Sequence, residues 1–481
     1  MKSYWTLLFL IITCCSFSQK RAFDFQKTYS VQQILEDIDY TERYLTKFHP
    51  NPYQYIRQDS LHQFVANLKT KIDSPLTELQ VRFLIKQIVA KIGCGHTDVG
   101  ASKQYAKAIK NTSRLVLPLN VVLTDSSQLV ILNNLSSDST IKAGDEIVGM
   151  DGFSTKQIIK TIYAILTSDG YNETYKRQVI QNDWFKYYYS FCFGFKSQYS
   201  LTIKHQDNHL SEHQLEAISS LKDTLILPKK DSVTCIRKIK TCSYSILKTD
   251  TQMAVIDIDG FRGKHWRSFF RRTFQDLKYR HIKHLVIDVR DNGGGKIYDG
   301  LYMLSYLINQ KLILSFDRKP DGIFFNPKFK MSIGSRVAPF AFSTLMPWWP
   351  KNGRLRHYFV VLPKKRYQFE GHIYVLMNGK TFSMSAISAT YLKYKADAIT
   401  IGEETGGSMS GSNAVISGRI VLPNSKLQVY MPIYHIYHDI DIKENGQGLL
   451  PDHSTYYSKQ DILKGLDKDL QKVKELVKTT N

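Results

Sequence analysis

The sequence predicts a multidomain α/β protein with a helical N-terminal region, a β-rich middle domain and a C-terminal domain of alternating strands and helices. Three observations predict it. A chain of 481 residues exceeds what one hydrophobic core organises, so it divides into domains. Apolar residues recur at intervals of three and four over residues 31–92, then give way to short β-like runs between 114 and 205. From about residue 235, apolar runs of strand length alternate with stretches of helical period, the pattern of a sheet with crossover helices.

At the start, Met1-Lys2 precedes an apolar run from Trp5 to Phe17 and the small-residue site Ser16-Phe17-Ser18. This reads as a secretory signal peptide over 1–18, so the protein is expected to be exported, periplasmic or secreted. Cys14 and Cys15 close the run and leave lipoprotein processing as the alternative. The helical region, 25–112, places Ile34, Ile38, Leu45, Phe64, Leu68, Leu79, Phe83 and Ile88 on apolar faces. It ends in Ile92-Gly93-Cys94-Gly95-His96-Thr97-Asp98, where glycines let the backbone bend closely around His96. A histidine there is a candidate for a cleft, though a helix-end hydrogen bonder also fits.

The middle domain, 113–210, has β-like runs at 115–123 and 129–132, then Ile141-Lys142-Ala143-Gly144-Asp145-Glu146-Ile147 and a helix expected over 155–166. His205, His209 and His213 lie four apart, the spacing of one helix face, but lack the His-Glu-x-x-His order of a metal site and read as surface residues. The last domain, 235–476, has strands expected at 253–258, 284–289, 373–377 and 398–401, and helices at 264–279, 297–308 and from Ser383 on. Residues 321–366, rich in aromatics and proline, interrupt the alternation as a lid or substrate wall, and 458–478 read as one amphipathic helix. A Cys235 to Cys242 bridge is allowed by the compartment.

The net charge of +22 permits contact with anionic envelope surfaces or acidic substrates, and a lysine-rich solvated exterior accounts for it equally. No nucleic-acid motif is present and no cofactor or metal is called for. The oligomeric state is left open.

The chemistry concentrates in two turns. Thr381-Phe382-Ser383-Met384-Ser385-Ala386 follows an apolar run and an Asn378-Gly379 turn signal and opens a helix. A hydroxyl at such a corner stands exposed above a sheet edge, beside the amide of the next residue. Ser383 is the candidate nucleophile, although a serine there also serves as a plain helix cap. Arg290-Asp291-Asn292-Gly293-Gly294-Gly295-Lys296 follows another strand and offers backbone amides to negative charge. It lacks the Gly-x-x-x-x-Gly-Lys-[Ser/Thr] order of a phosphate loop, so an oxyanion of acyl transfer is the better client.

With these two turns, the Ile401-Gly402-Glu403-Glu404-Thr405-Gly406-Gly407 string and the His49-Pro50-Asn51-Pro52-Tyr53 region, the chain resembles the C-terminal processing (tail-specific) serine protease family. The Ala-Gly-Asp string with its helix behind it resembles a PDZ-like domain, which takes up extended peptide ends by strand addition. The resemblance implies an α/β, crotonase-like catalytic domain and a peptide or protein substrate. It implies Ser383 as nucleophile and an oxyanion hole shared by the Met384 amide and a glycine of Gly293, Gly294 and Gly295.

The family's best-known branch uses a Ser-Lys dyad, but Ser408 stands at the lysine's place. The tricorn core and chlamydial secreted protease-like branches instead use Ser, His and Glu. The chlamydial pattern draws its histidine from the N-terminal region, matching His96, and its glutamate precedes a Gly-x-x-Pro-Asp string, matching Glu444. A serine needs a base near working pH and that base an orienting carboxylate, which His96 and Glu444 would supply, with kcat/KM rising around or above neutrality. Lys380 is the nearest alternative base. A noncatalytic ligand- or peptide-binding homologue and an acyl hydrolase or esterase with the same residues are the competing readings. Intact-mass measurement of the exported protein is expected to show a mature chain lacking the first 18 or so residues; an acylated Cys14 or Cys15 terminus would establish the lipoprotein route instead.

Overall fold

The runs His284–Asp288 and His372–Met377 are buried along nearly their whole length, as befits strands covered on both faces. They form the centre of a seven-stranded sheet in a computed structural model that describes residues 23–480 apart from 111, 113, 182, 220–232, 319–322, 352–353 and 444. The strand order is Val233–Ile239, Cys242–Leu247, Met253–Ile258, His284–Asp288, His372–Met377, Ile399–Gly402 and His453–Ser454. From Met253–Ile258 onward the pairing is parallel. The loops after Ile258, Asp288, Met377 and Gly402 therefore leave the same sheet edge side by side, where open α/β sheets place their ligands.

Two helices show why the sequence folds this way. Trp266–Tyr279 buries Trp266, Phe269, Phe270, Phe274 and Leu277 at three- and four-residue spacing, an amphipathic stripe against the sheet. Met384–Lys395 is instead buried continuously from Met384 to Leu392, so the helix behind the Ser383 corner lies within the core.

A second, antiparallel sheet joins Trp348–Lys351, Arg354–Val361, Leu312–Asp317, Gln428–His438 and Gly411–Val421, and Asp98–Gly100 pairs with Gln428–His438. That last pairing brings the segment after His96 into the C-terminal half. The helices Val31–Phe48, Gln58–Lys69 and Glu78–Lys91 share one apolar cluster with the two C-terminal sheets. Residues between Leu117 and Leu215 close a separate cluster around the sheet of Leu119–Leu123, Leu129–Asn134, Glu146–Met150, Gln198–Lys204 and Leu210–Glu216. No helix among the described residues is long and apolar enough to cross a membrane.

Several local expectations are corrected. Residues 458–478 break at Gly465 into Lys459–Lys464 and Lys468–Thr480. Within the stretch 321–366, Arg354–Val361 pairs with Leu312–Asp317, and Phe342 of the helix Ile333–Leu345 packs on Phe316 and Tyr434, so these parts are fixed to the second sheet rather than free to move as a lid. His205 and His213 flank and enter a hairpin rather than a helix, and both are half-buried. Each bonds the Ser211 hydroxyl at 2.6 Å, with Asp145 and Asp138 on their other nitrogens. Cys235 and Cys242 are free thiols, Cys235 opposite Ser245 and Cys242 opposite Ile239. The 1–18 segment lies outside the described residues.

The glycine-rich turn is tied to the C-terminus by Arg290. Its guanidinium donates to Asp288, Asp467 and Asp469 at 2.8 Å each, and Asp469 in turn accepts from the Thr455 hydroxyl. Removing the cation strands three carboxylates in a largely buried site. Arg290→Ala is expected to destabilise the fold by about 3–5 kcal/mol, read by denaturant unfolding.

Candidate functional site

Ser383 sits at φ 55°, ψ −126°, a conformation that costs a non-glycine residue roughly 1–3 kcal/mol and persists only where surroundings impose it. The surroundings here are backbone bonds and one buried side-chain hydroxyl. Phe382 N–H donates to Asn292 O at 3.0 Å, the amides of Gly406 and Gly407 both donate to Thr381 O, and the Thr381 hydroxyl donates to Val289 O at 2.8 Å. A Cβ on Gly294 would lie 2.7 Å from Ser383 Cβ and 2.9 Å from Met384 N, so only glycine lets the two turns meet.

The Ser383 hydroxyl makes no hydrogen bond among the described residues, and it does not cap its helix. Ser385, its nearest rival, is fully buried with an unpartnered hydroxyl. Of the glycines, Gly294 already donates its amide to Asn292 Oδ1 at 2.9 Å. The amides of Met384, Gly293 and Gly295 have no partner among the described residues. Of the four candidate amides, those three are therefore the ones without an internal partner.

His96 is brought to this corner. Its ring lies 4.7 Å from that of Phe382, the residue before Ser383, and Tyr175 covers the same phenyl ring at 4.9 Å. No hydrogen bond joins His96 to Ser383, a looseness common where no substrate is bound. Burial pushes the imidazole below its ordinary value, opposed by the Asp169 carboxylate. Cys94, two residues away, is no competing nucleophile, because burial pushes its thiol up to about 12.

Glu444 lies outside the described residues. Its neighbour Gly446 accepts the Tyr171 amide at 2.9 Å, so the loop approaches residues 169–172. Lys380 turns away to Asp291, 3.6 Å distant. Ser408 is buried, its hydroxyl 2.9 Å from that of Ser410.

Sequence reasoning missed Asp169, a buried carboxylate between the helices Thr155–Tyr163 and Glu173–Val179. It accepts Gly95 N–H at 2.9 Å and the Ser412 hydroxyl at 3.0 Å, and that hydroxyl lies 3.3 Å from His96 Nδ1. Burial raises its carboxyl, opposed first by His96. Asp169-Gly170 reads in sequence as an ordinary turn, and nothing in the string links it to His96.

Residues 252–455 match Peptidase family S41. No protein of curated function matches the sequence. The fold is similar to the crystal structure of mature CPAF, with a TM-score of 0.65 and 16% identity, covering 93% of this chain and 97% of that one. The structure of mature CPAF complexed with lactacystin matches with 0.65 and 15%, covering 93% and 98%. The photosystem II D1 C-terminal processing protease matches with 0.43 and 15%, covering 89% and 94%. At these identities the likeness is one of fold. A fluorophosphonate probe followed by peptide mapping is expected to label Ser383 and to leave Ser385 unmodified; labelling that survives Ser383→Ala would remove the assignment.

Proposed function

We propose, from the premise that residues 252–455 form a peptidase family S41 domain and that the chain is a serine-type peptidase, that it is an exported endopeptidase working through an acyl-enzyme at Ser383. The single observation that carries this is the strained Ser383 corner, held over Gly294 with an unpartnered Met384 amide beside it.

In this reading His96 accepts the Ser383 proton as the oxygen bonds to the substrate carbonyl carbon. The amides of Met384 and of Gly293 or Gly295 receive the oxyanion. Collapse breaks the C–N bond, the proton passes to the departing amine, and water then hydrolyses the ester by the reverse use of His96. Glu444 balances the charge of the imidazolium, as the resemblance implies. The sheet around Glu146–Met150 acts as a PDZ-like unit that presents extended peptide by strand addition. A strained serine with free amides favours catalysis over the noncatalytic reading, since a binding protein has no use for that strain.

The inactivation rate by a fluorophosphonate tests the base without knowledge of the substrate. His96→Ala is expected to lower it roughly 10²–10⁴-fold, and the double variant with Ser383→Ala should lose no more than Ser383→Ala alone. Because the neutral imidazole is the active form and burial lowers its pKa, the rate should rise with pH on the acid side of about 6.5 and stay flat above it. Full reactivity in His96→Ala with loss in Lys380→Ala would transfer the base to Lys380.

A further inference from the structure

We infer that Asp169, acting through the Ser412 hydroxyl, is a positioning residue that fixes the His96 tautomer, with the proton on Nδ1 and the lone pair on Nε2. This rests on His96 being the base.

Asp169 is 3% exposed and meets only donors among its recorded partners. Oδ1 accepts Gly95 N–H at 2.9 Å, and Oδ2 accepts Ser412 Oγ–H at 3.0 Å and Ser408 N–H at 3.4 Å. Three donors and no acceptor hold the carboxylate as an acceptor. Ser412 has one proton, and the carboxylate takes it. Its oxygen therefore faces His96 Nδ1, 3.3 Å away, with a lone pair only. Nδ1 must then donate, which leaves Nε2 as the atom able to take a proton. The neighbouring Cys94 and Tyr175 are both pushed up to about 12 by burial and stay neutral, so neither reverses the polarity of the chain.

The relay is also a joint between parts of the molecule. Asp169 follows the helix Thr155–Tyr163, whose Ile158, Ile159 and Ile162 pack in the cluster of the β-rich sheet. Beside it, Gly170 N–H donates to Gly93 O, Tyr171 N–H to Gly446 O and Asn172 Nδ2 to Thr405 O. Residues 169–172 thus fasten the His96 loop, Gly446 and the loop after Gly402 to the unit proposed to take up peptide, and seating that unit sets the polarity of the base.

The test separates this inference from the reading it rests on. In full-length protein with ¹⁵N-labelled histidine, the His96 ring, assigned by difference from His96→Ala, should carry its proton on Nδ1. A proton on Nε2 overturns the relay whatever the chemistry at Ser383. In Asp169→Asn the amide still serves Gly95 through its oxygen but donates to Ser412, whose own proton then turns to Nδ1. The tautomer should flip, and kinact for the fluorophosphonate should fall at least tenfold and by up to about 10⁴-fold, with KI within about twofold.

Ser412→Ala should lower kinact without disturbing the Gly95 bond, and Ser412→Thr, which keeps the hydroxyl, should restore it. The double variant Asp169→Asn with Ser412→Ala should be little worse than either single one. A change in KI or thermal stability with kinact unmoved would mean a structural role and overturn the inference. Wild-type reactivity in His96→Ala would instead sink the base assignment, and the ring protonation state would still decide the relay.

Discussion

The close approach of two backbones, Gly294 beneath Ser383, is the constraint on which the rest of the site depends. Nothing about a lone serine stabilises φ 55°, ψ −126°. The conformation survives because Phe382 is bonded to Asn292 on one side and Thr381 to Val289, Gly406 and Gly407 on the other. Those anchors lie in the loops that follow three neighbouring parallel strands, so the sheet's register sets the corner. Gly295 has the same logic one residue on: a Cβ there would fall 2.1 Å from Phe261 O, closing off any side chain where the first loop crosses the second. The unpartnered Met384 amide is a by-product of the same geometry, because the strained corner turns it away from the chain that would otherwise cap it.

Much of this was legible in the sequence, and the reason is locality. The buried strands are runs of β-branched and apolar residues, the serine corner follows a turn dipeptide, and the helix Trp266–Tyr279 repeats its aromatics at the helical period. The long hairpin of Gly411–Val421 and Gln428–His438 was not legible, since its buried faces carry Ser412, Asn413, Gln428 and His435. Those polar residues disguise core strands as loops, and they are there because the hairpin's inner face is a hydrogen-bond network: Asn413 meets His435 at 2.9 Å and Gln54 at 3.1 Å. Asp169 was illegible for a different reason. Its partners Gly95, Ser408 and Ser412 lie far away in the chain, and a turn aspartate reveals nothing of a tertiary contact. Glu444 rests on resemblance alone.

The proposed choice of His96 over a lysine as base has a physical counterpart in the packing. Ser408 occupies the dyad lysine's place, and it is buried against Asp169 and Ser410. An ammonium there would face the Asp169 carboxylate and form an ion pair, which raises a lysine's pKa and makes it a poorer base. Lys380 points away from the corner, to Asp291 at 3.6 Å. The same carboxylate that would spoil a lysine suits a histidine reached through a hydroxyl, because it orients the ring without holding a second charge against it.

In the proposed mechanism that indirectness gives the pair its working range. Burial drives His96 toward the neutral imidazole and drives Asp169 toward the neutral acid, while each group's charge would steady the other. A direct ion pair would settle the conflict by locking the proton on the imidazole in the resting enzyme, and the base would then be spent before substrate arrives. Placing Ser412 between them weakens the resting attraction, and three hydrogen-bond donors keep the carboxylate an acceptor. In that mechanism the imidazolium would gain the full benefit of the buried carboxylate only when it forms, in surroundings of low polarity where that attraction is strongest. Stabilisation that appears with the transition state and not before it is the kind that accelerates a reaction.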